Sequence, residues 1–373
     1  MNDTTGVVVV GGGVIGCAVA YYLRKRGADV TLVERGEIGG QASGAAAGLL
    51  APLGPLSGAG PLADLLLAGF AQFPQLVPEL EDASGLRLGY ERTGALRVVR
   101  NPKRVAPLQK RMREWQPLGL ALRWLSGDEA RSLEPLLAPD VCAAVYAPEE
   151  SQIRAATLVQ TFARSARNAG VRIYEHREVL GIFASGGRVM GVQLSQNETL
   201  SCTHLVLATG AWSASYKEWF HIAVPVTPLK GQMISLRPSS SSFLPRTLVL
   251  GEGIYIVPRD GTLLVGATKE ETGFDTQVTQ ASTNWLHNSA TRLMPTLRDA
   301  PIDAAWTGLR PRTPDTRPLL GAIPGWENAT LAVGHNSIGV LLSAITGQTI
   351  AELVETGHTP DIIRPFSIER FEE

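Results

Sequence analysis

The sequence predicts an α/β protein with two interleaved domains, one built on a parallel sheet and the other, of α+β type, on an antiparallel sheet. Residues Val7–Val10 form a β-branched run that precedes a glycine-rich turn and a helical pattern, the beginning of a βαβ unit. Between residues 226 and 265, four short strand-like runs are separated by Pro, Ser and Gly, which is typical of an antiparallel sheet. Since 373 residues exceed what one hydrophobic core usually supports, we expect two domains.

The parallel sheet begins with one βαβ unit. Its helix is predicted over Ala18–Arg26 and its second strand over Asp29–Val33, joined by a right-handed crossover. Periodicity then predicts helices at Leu62–Leu80, Arg104–Leu120 and Leu158–Ala169, and strands at Thr93–Val99, Arg172–Glu175, Gly191–Leu194 and Thr203–Leu207.

The antiparallel sheet is predicted from the runs Met233–Leu236, Thr247–Leu250, Tyr255–Val257 and Leu263–Val265. After it, Leu331–Val333 is a continuous apolar run that predicts a buried strand like those of the first sheet, and Gly339–Leu353 predicts a final amphipathic helix. We therefore assign residues 1–85, 148–220 and 326–373 to the first domain, and residues 86–147 and 221–325 to the second.

Composition favours a globular protein that acts on a small molecule. Hydrophobic residues make up 44% and charged residues 18%, which excludes disorder for most of the chain. The 34 basic and 35 acidic residues nearly cancel, so no field attracts nucleic acid or an anionic membrane. Cys17, Cys142 and Cys202 are scattered and form no CxxC pair, which argues against a disulfide framework or a metal site and fits a reducing cytoplasm.

An uncharged run at residues 6–23 reaches the lower limit of a membrane-spanning length. Three consecutive glycines in its middle argue against a span. No basic region precedes it, and Arg24–Arg26 follow without a small-residue cleavage site, so we do not expect a signal peptide.

The turn after the first strand carries the pattern GxGxxG. Gly11 allows the tight turn, Gly13 lets a pyrophosphate approach the helix N-terminus, and Gly16 lets helix and strand pack closely. Glu34 ends the next strand, 18 residues after Gly16, where it can accept hydrogen bonds from ribose hydroxyls. This arrangement indicates a dinucleotide site but does not separate NAD from FAD.

Two further segments favour FAD. Residues 36–60 are rich in Gly, Ala, Ser and Pro, and the stretch Gln41–Leu50 offers small side chains to a long cofactor, although a flexible loop would have the same composition. The strand Leu205–Leu207 leads into the small residues before Trp212, which is common as a second contact stretch in FAD proteins.

Seven motifs in order carry a resemblance that covers nearly the whole chain. They are VVVVGGGVIG, ERGEIGGQASGAAAGLL, LVLATGAWS, PLKGQMISL, YIVPRDGTLLVGAT, WTGLRPRTPDTRPLLG and AVGHNSIGVLLSAITG. The chain thereby resembles the FAD-dependent amine oxidases of the D-amino-acid oxidase superfamily, in particular the glycine and sarcosine oxidase type. The resemblance implies a glutathione-reductase-like Rossmann domain for FAD and an interleaved antiparallel-sheet domain for the substrate.

The resemblance also implies the chemistry. Glycine, sarcosine or another N-substituted glycine would pass a hydride from Cα to flavin N5, the imine would hydrolyse to an oxo acid such as glyoxylate, and O2 would be reduced to H2O2. No cysteine follows Cys202 and no histidine lies in residues 36–60, so we expect non-covalent FAD. The expected FAD contacts are Gly11, Gly13, Val14, Ile15, Gly16, Glu34, Arg35, Gln41, Ala42, Ser43, Ala46, Ala47, Gly48, Leu49, Val179, Ala208, Thr209, Gly210, Trp212, His335, Asn336, Ser337, Ile338, Gly339 and Val340.

An amino-acid oxidase must hold the substrate carboxylate, and a bidentate arginine does this best. Arg310 is the chosen anchor, because the residues around Arg312 and Arg317 are polar and Pro-rich, as at a solvated surface. By the family pattern, Tyr255 adds its hydroxyl to the same carboxylate. A structural salt bridge and a core tyrosine are the alternatives for these two residues.

The final helix follows Gly334–Gly339, and its N-terminus would favour negative charge on a reduced flavin. His335 could equally be a turn residue that backbone groups satisfy. Ser337 stands where the family pattern has an arginine.

Lys269 departs from the glycine-oxidase pattern, in which this position is apolar. Sarcosine oxidases place a lysine over the flavin to assist the reaction with oxygen, so Lys269 is a candidate for that role. Alternatively, it belongs to a solvated charge run with Glu270 and Glu271.

Three other functions remain open at this point. They are a flavin dehydrogenase that passes electrons to a quinone, a flavin-bearing subunit without turnover, and an NAD-dependent dehydrogenase. The expected partners are an amine substrate and O2, with neither nucleic acid nor membrane, in a possible homo-oligomer.

Overall fold

The computed structural model describes residues 4–371, which form two eight-stranded sheets, a two-stranded ribbon and nine α-helices. The strands are β1 (Thr4–Val10), β2 (Val30–Val33), β3 (Leu49–Leu50), β4 (Ala95–Val99), β5 (Arg123–Ser126), β6 (Ala143–Ala147), β7 (Ser151–Gln152), β8 (Arg172–Tyr174), β9 (Val179–Ser185), β10 (Arg188–Leu194), β11 (Thr199–Leu207), β12 (Thr227–Leu236), β13 (Leu248–Gly251), β14 (Ile254–Arg259), β15 (Thr262–Gly266), β16 (Ile302–Arg312), β17 (Leu319–Ala322) and β18 (Ala329–Val333). The helices are α1 (Val14–Lys25), α2 (Ala42–Ala45), α3 (Pro61–Ser84), α4 (Val105–Trp115), α5 (Gly127–Leu133), α6 (Ala155–Asn168), α7 (Lys217–Phe220), α8 (Gln280–Leu293) and α9 (Gly339–Thr356). Within residues 4–371, no helix is both long and apolar enough to cross a bilayer.

The first sheet has the strand order β17-β18-β11-β1-β2-β8, and β10 and β9 extend it from β11. Strand β1 lies in its middle and pairs in parallel with β2 and β11. Val8 and Val9 are fully buried, because helices or other strands cover both faces of the sheet. A continuous apolar run such as Val7–Val10 is therefore what a central parallel strand requires.

Helices α1, α3, α6 and α9 share the larger hydrophobic core with one face of this sheet. The crossing of α1 and α9 is close, because a Cβ at Gly347 would lie 2.6 Å from the ring of Tyr22 and 2.9 Å from the carbonyl oxygen of Ala18. Phe162 of α6 packs against Tyr21, with ring centroids 5.9 Å apart. This packing fixes the N-terminus of α1 and that of α9 relative to the sheet.

The second sheet has the order β16-β12-β15-β14-β13-β4-β6-β5 and is antiparallel except where β4 meets β13. Its longest pairing joins β12 to β16 from Thr227 with Arg312 to Leu236 with Ile302. Helices α5 and α8 contribute Ala130, Leu286 and Leu293 to the core on one face of the sheet. The predicted class, a Rossmann-type α/β domain with an interleaved antiparallel α+β domain, is confirmed.

Several predicted elements differ from the structure. Helix α1 begins at Val14 rather than Ala18, since the last glycine of the turn already lies inside the helix. The predicted helix Arg104–Leu120 ends at Trp115 and continues as a short 3-10 turn. Strand β16 was not predicted, because it is an edge strand whose first residues are exposed and which contains Pro311. Helix α8 was also missed, because its first turns are polar.

Strand β17 lies in the first sheet, where it pairs antiparallel with β18. The sequence had assigned residues 221–325 to the second domain, so this segment returns to the first sheet earlier than expected. Periodicity does not separate an edge strand of one sheet from a strand of the other.

Candidate active site

A cavity of about 1180 Å³ lies between the carboxyl ends of β1, β2 and β11 and one face of the second sheet. Open parallel sheets bind their ligands at this edge. Ordinary small-molecule pockets measure about 300–1,000 Å³, so this cavity is large enough for a dinucleotide together with a small substrate.

The predicted cofactor and catalytic residues line this cavity, with Gly16 as the exception. A Cβ at Gly16 would lie 1.8 Å from the carbonyl oxygen of Gly11, so this glycine permits the contact between helix and strand and does not face the cavity. The contacts of the other residues with FAD stay predictions.

The N-terminus of α1 opens onto the cavity. Gly11 has φ +111°, and a Cβ there would lie 2.4 Å from the carbonyl oxygen of Ala208. Gly13 provides no side-chain cap, and the backbone N–H of Val14 donates to Ser43 Oγ at 3.0 Å. The uncapped N–H groups and the helix dipole make this turn suitable for a phosphate group.

Glu34 is held at the end of β2 by two backbone donors. Its Oε2 accepts from the N–H of Gly12 at 2.6 Å, and its Oε1 accepts from the N–H of Gly36 at 2.8 Å. The carboxylate is therefore fixed beside the glycine turn, where a ribose would lie in a dinucleotide site.

An aromatic stack joins the two domains at the side of the cavity. The guanidinium of Arg35 lies 3.9 Å from the ring centroid of Trp212, and Phe274 stacks on Trp212 with centroids 5.3 Å apart. The sequence predicted Arg35 and Trp212 as cofactor residues but not Phe274, which is 52% exposed and 62 residues away from Trp212 along the chain.

The segment after Gln41 passes between the two domains. A Cβ at Gly48, which has φ +81°, would lie 1.8 Å from the carbonyl oxygen of Ile153. Trp306 Nε1 donates to the carbonyl oxygen of Ala45 at 2.9 Å, and Arg259 donates to that of Ala47 at 2.9 Å. The second domain thus fixes the small residues that line the cavity.

Residues before α9 contribute two buried polar groups. Burial lowers the pKa of His335 to about 3, so the ring is neutral, and its Nε2 lies 3.1 Å from Thr346 Oγ1. The Oδ1 atom of Asn336 is buried and has no hydrogen-bond partner among residues 4–371. An unsatisfied buried acceptor beside the uncapped N-terminus of α9 fits a polar ligand group such as those of FAD.

Arg310 extends from β16 across the neighbouring strand. A Cβ at Gly231 of β12 would lie 2.3–2.5 Å from its guanidinium, so the side chain passes directly over this glycine. Its Nη1 donates to the carbonyl oxygen of Thr268 at 3.0 Å. Burial lowers the pKa of Arg310, which still remains a cation at neutral pH.

Tyr255 extends from β14 over a glycine of the neighbouring strand, as Arg310 does from β16. A Cβ at Gly266 would lie 2.6 Å from its Oη, which donates to Met233 Sδ at 3.5 Å. Burial raises the pKa of the tyrosine, although the charge of Arg310 opposes this shift, so the hydroxyl is protonated at neutral pH. The sequence predicted Arg310 and Tyr255, but it did not predict the two glycines that let them meet.

Gln232 fixes residues 267–279, here called the clamp segment. This side chain is fully buried, its Nε2 lies 2.9 Å from Glu270 Oε1, and its Oε1 accepts from the N–H of Thr279 at 2.8 Å. The N–H of Gln232 donates to Thr268 Oγ1 at 2.8 Å. Gln232 therefore positions the carbonyl group of Thr268 that binds Arg310.

Two lysines of this region lie in opposite environments. Lys230 is 1% exposed and donates to Asp275 at 2.6 Å, whereas Lys269 is exposed and lines the cavity. Arg312 also lines the cavity and pairs with Glu271 at 2.6 Å, so it is less solvated than expected. Arg317 is exposed, as expected.

Residues 6–353 match the profile of the DAO family, described as FAD dependent oxidoreductase. The chain belongs to this family. It is 35% identical over 373 residues to the glycine oxidase of Geobacillus kaustophilus, covering 99% of this chain and 98% of that protein. The crystal structure of glycine oxidase from the same organism has a TM-score of 0.94 at 34% identity and covers 99% of each chain. The structure of iminodiacetate oxidase from Chelativorans sp. BNC1 has a TM-score of 0.88 at 26% identity, covering 97% of this chain and 98% of that one.

This DAO-family protein is therefore an FAD-dependent amine oxidase. Its cofactor is FAD, and the glycine turn, Glu34 and the N-termini of α1 and α9 line the cavity. The similar proteins differ in the amine that their names state.

Proposed function

We propose that this protein oxidises glycine, sarcosine and related N-substituted glycines, with dioxygen as the electron acceptor. For glycine, one amine, one O2 and one water give glyoxylate, ammonia and H2O2. N-substituted glycines are included because one similar structure is that of an iminodiacetate oxidase.

The observation that carries this proposal is the burial of the Arg310 guanidinium without an acidic partner. The guanidinium is largely buried in the cavity, and its hydrogen bond within residues 4–371 goes to a backbone carbonyl group rather than to a carboxylate. A buried cation without a counter-ion is costly, so a ligand carboxylate would satisfy it. Two parallel hydrogen bonds from the remaining N–H groups would fix the orientation of an amino acid.

Tyr255 would complete the carboxylate contact and close the pocket. Its protonated hydroxyl can donate to the second carboxylate oxygen, and its raised pKa prevents it from acting as a base at neutral pH. Met233, Leu250 and Ala267 line the same part of the cavity and favour a small aliphatic group. Neither Arg310 nor Tyr255 can accept a proton at neutral pH, so these two residues do not deprotonate the amine, which we expect to react in its neutral form.

FAD would be held by the uncapped N-terminus of α1, by Glu34 and by residues 335–339 before α9. When bound, it supplies the acceptor for the hydride and hands the two electrons to dioxygen. The residues of the chain contribute position, exclusion of water and fixed charge. Lys269 is the proposed cation for the reaction with oxygen, since it lines the cavity.

An amine panel tests the proposal directly. Purified protein is mixed with glycine, sarcosine, proline and larger N-substituted glycines, and peroxide and oxygen consumption are followed without an added dye. Turnover of the small glycines with stoichiometric peroxide is expected. Turnover that needs a quinone or a dye would instead assign the dehydrogenase function.

The Arg310→Ala variant tests the anchor. Removing a charged contact from a closed site costs about 2–5 kcal/mol, so kcat/KM should fall by at least about 30-fold while FAD stays bound. Arg317→Ala is the matched control, because that arginine is exposed and follows in the same segment. Near-normal kinetics in Arg310→Ala would assign the carboxylate to another arginine.

A further inference from the structure

The backbone of Lys269 lies close to the guanidinium of Arg310 on one wall of the cavity. Lys269 directly follows Thr268, whose carbonyl oxygen accepts from Arg310 Nη1 at 3.0 Å. Across a trans peptide the carbonyl oxygen lies about 2.8 Å from the next Cα, so the Cα of Lys269 is within about 6 Å of that nitrogen. Both side chains line the cavity.

The two acidic residues next to Lys269 form their hydrogen bonds and ion pairs with other residues. Glu270 accepts from Thr268 Oγ1 at 2.5 Å and from Gln232, and Glu271 pairs with Arg312 at 2.6 Å. Over residues 4–371, Lys269 itself takes part in no hydrogen bond or ion pair. Its ammonium group is therefore free to meet negative charge from a ligand.

The spacing suits a ligand with two acidic groups. An extended lysine side chain adds about 6 Å, so the ammonium of Lys269 lies at most about 12 Å from Arg310 Nη1, and other rotamers bring it closer. The two carboxylate carbons of a molecule such as iminodiacetate are about 5 Å apart. One carboxylate can therefore bind Arg310 while the other lies within reach of Lys269.

We propose that Lys269 forms a second anion subsite, which makes amino acids with a second carboxylate on the nitrogen substituent the preferred substrates. This inference rests on the proposed function, because it takes Arg310 as the anchor of the first carboxylate. With iminodiacetate, one O2 and one water, the C–N bond of one arm is oxidised and hydrolysed to give glyoxylate, glycine and H2O2. The arm that contacts Lys269 leaves as glycine.

Binding of a matched pair of inert ligands tests the subsite without turnover. Diglycolate and methoxyacetate both carry an ether oxygen where the amine would be, and they differ by one carboxylate. Calorimetry with the FAD-loaded protein at low ionic strength should give about tenfold tighter binding of diglycolate. Lys269→Met should reduce this ratio to near one, and Lys269→Arg should largely restore it.

Lys103→Met is the control for net charge, because Lys103 is exposed on a short turn after β4 and does not line the cavity. It should keep the diglycolate preference. Equal binding of the two ligands to the parent protein, or an unchanged preference in Lys269→Met, would overturn the subsite.

Kinetics separate this inference from the proposed function. Initial values of kcat/KM for iminodiacetate relative to sarcosine should fall about tenfold in Lys269→Met. Any effect of the lysine on the reaction with oxygen applies to both amines and cancels in this ratio. Absence of sarcosine and glycine oxidation would refute the proposed function, whereas oxidation of sarcosine without a diglycolate preference would refute the subsite alone.

Discussion

Replacing Gly231 by alanine should remove the carboxylate anchor without removing the arginine. The new Cβ would lie 2.3 Å from Arg310 Nη2 and 2.5 Å from its Cζ. An ordinary contact requires about 3.5 Å, so the guanidinium must move by about 1 Å. This movement also breaks the 3.0 Å hydrogen bond to the carbonyl group of Thr268.

The expected cost falls on catalysis rather than on stability. A shift of 1 Å in a group that positions the substrate costs about 100-fold in rate, which corresponds to about 2.7 kcal/mol. Gly231 does not have a left-handed φ, and the clashing atoms belong to the flexible end of a side chain. Alanine should therefore change the free energy of unfolding by less than about 1 kcal/mol.

The measurements are kcat/KM by peroxide release and the urea midpoint of the FAD-loaded protein. Gly181→Ala is the matched control, because Gly181 lies within β9 and the nearest atom to its Cβ is 3.9 Å away. We expect a 100-fold lower kcat/KM in Gly231→Ala and parent-like values in the control. Parent-like kcat/KM in Gly231→Ala would refute the placement of the substrate carboxylate above this glycine.

Three further predictions concern the clamp segment, pH and the cofactor. Gln232→Leu keeps the volume but removes the side-chain hydrogen bonds of Gln232 to Glu270 and to the N–H of Thr279, while Glu270 keeps its bonds from Thr268 and Ser282. Each lost hydrogen bond costs about 0.5–1.5 kcal/mol, so both the urea midpoint and kcat/KM should fall; an unchanged kcat/KM would remove Gln232 from the positioning of Arg310. Burial lowers the pKa of His335 to about 3, so below pH 6.5 the unfolded state binds more protons than the folded state and stability should fall by up to about 1.4 kcal/mol per pH unit. The difference between the urea midpoints at pH 7 and pH 5 should be smaller in His335→Gln than in the parent protein. An equal difference would assign the loss of stability to other groups such as His204. Acid precipitation should release yellow FAD into the supernatant, since no cysteine follows Cys202 and no histidine lies in residues 36–60; flavin in the pellet would contradict non-covalent binding.

The sequence alone was most informative where one short segment sets its own geometry. The glycine turn after β1 is an example, because a positive φ at Gly11 and the close approach of Gly16 are requirements of the local backbone. Glu34 could be placed for the same reason, since the end of a strand in a βαβ unit always faces the same edge of the sheet. The fold class followed from such periodic segments.

Contacts between distant segments could not be predicted. Phe274 meets Trp212 only because the clamp segment of the second domain reaches the first domain. Gly231 reads as an ordinary strand glycine until β16 pairs beside β12 and Arg310 crosses it. Strand order and side-chain direction depend on how whole sheets pack, and no local pattern records them.

Lys230 of β12 and Lys269 of the clamp segment show most clearly what the sequence determined and what the packing determined. The family pattern singled out Lys269 and passed over Lys230, which lies between Leu229 and Gly231. Side chains alternate between the faces of a strand, so Lys230 points away from the cavity and is buried against Asp275, while Gly231 faces the guanidinium. The sequence thus determined the residue types and the turn geometry. The packing of β12, β16 and the clamp segment decided which charged groups surround each lysine, because only packing determines which face of a strand is buried.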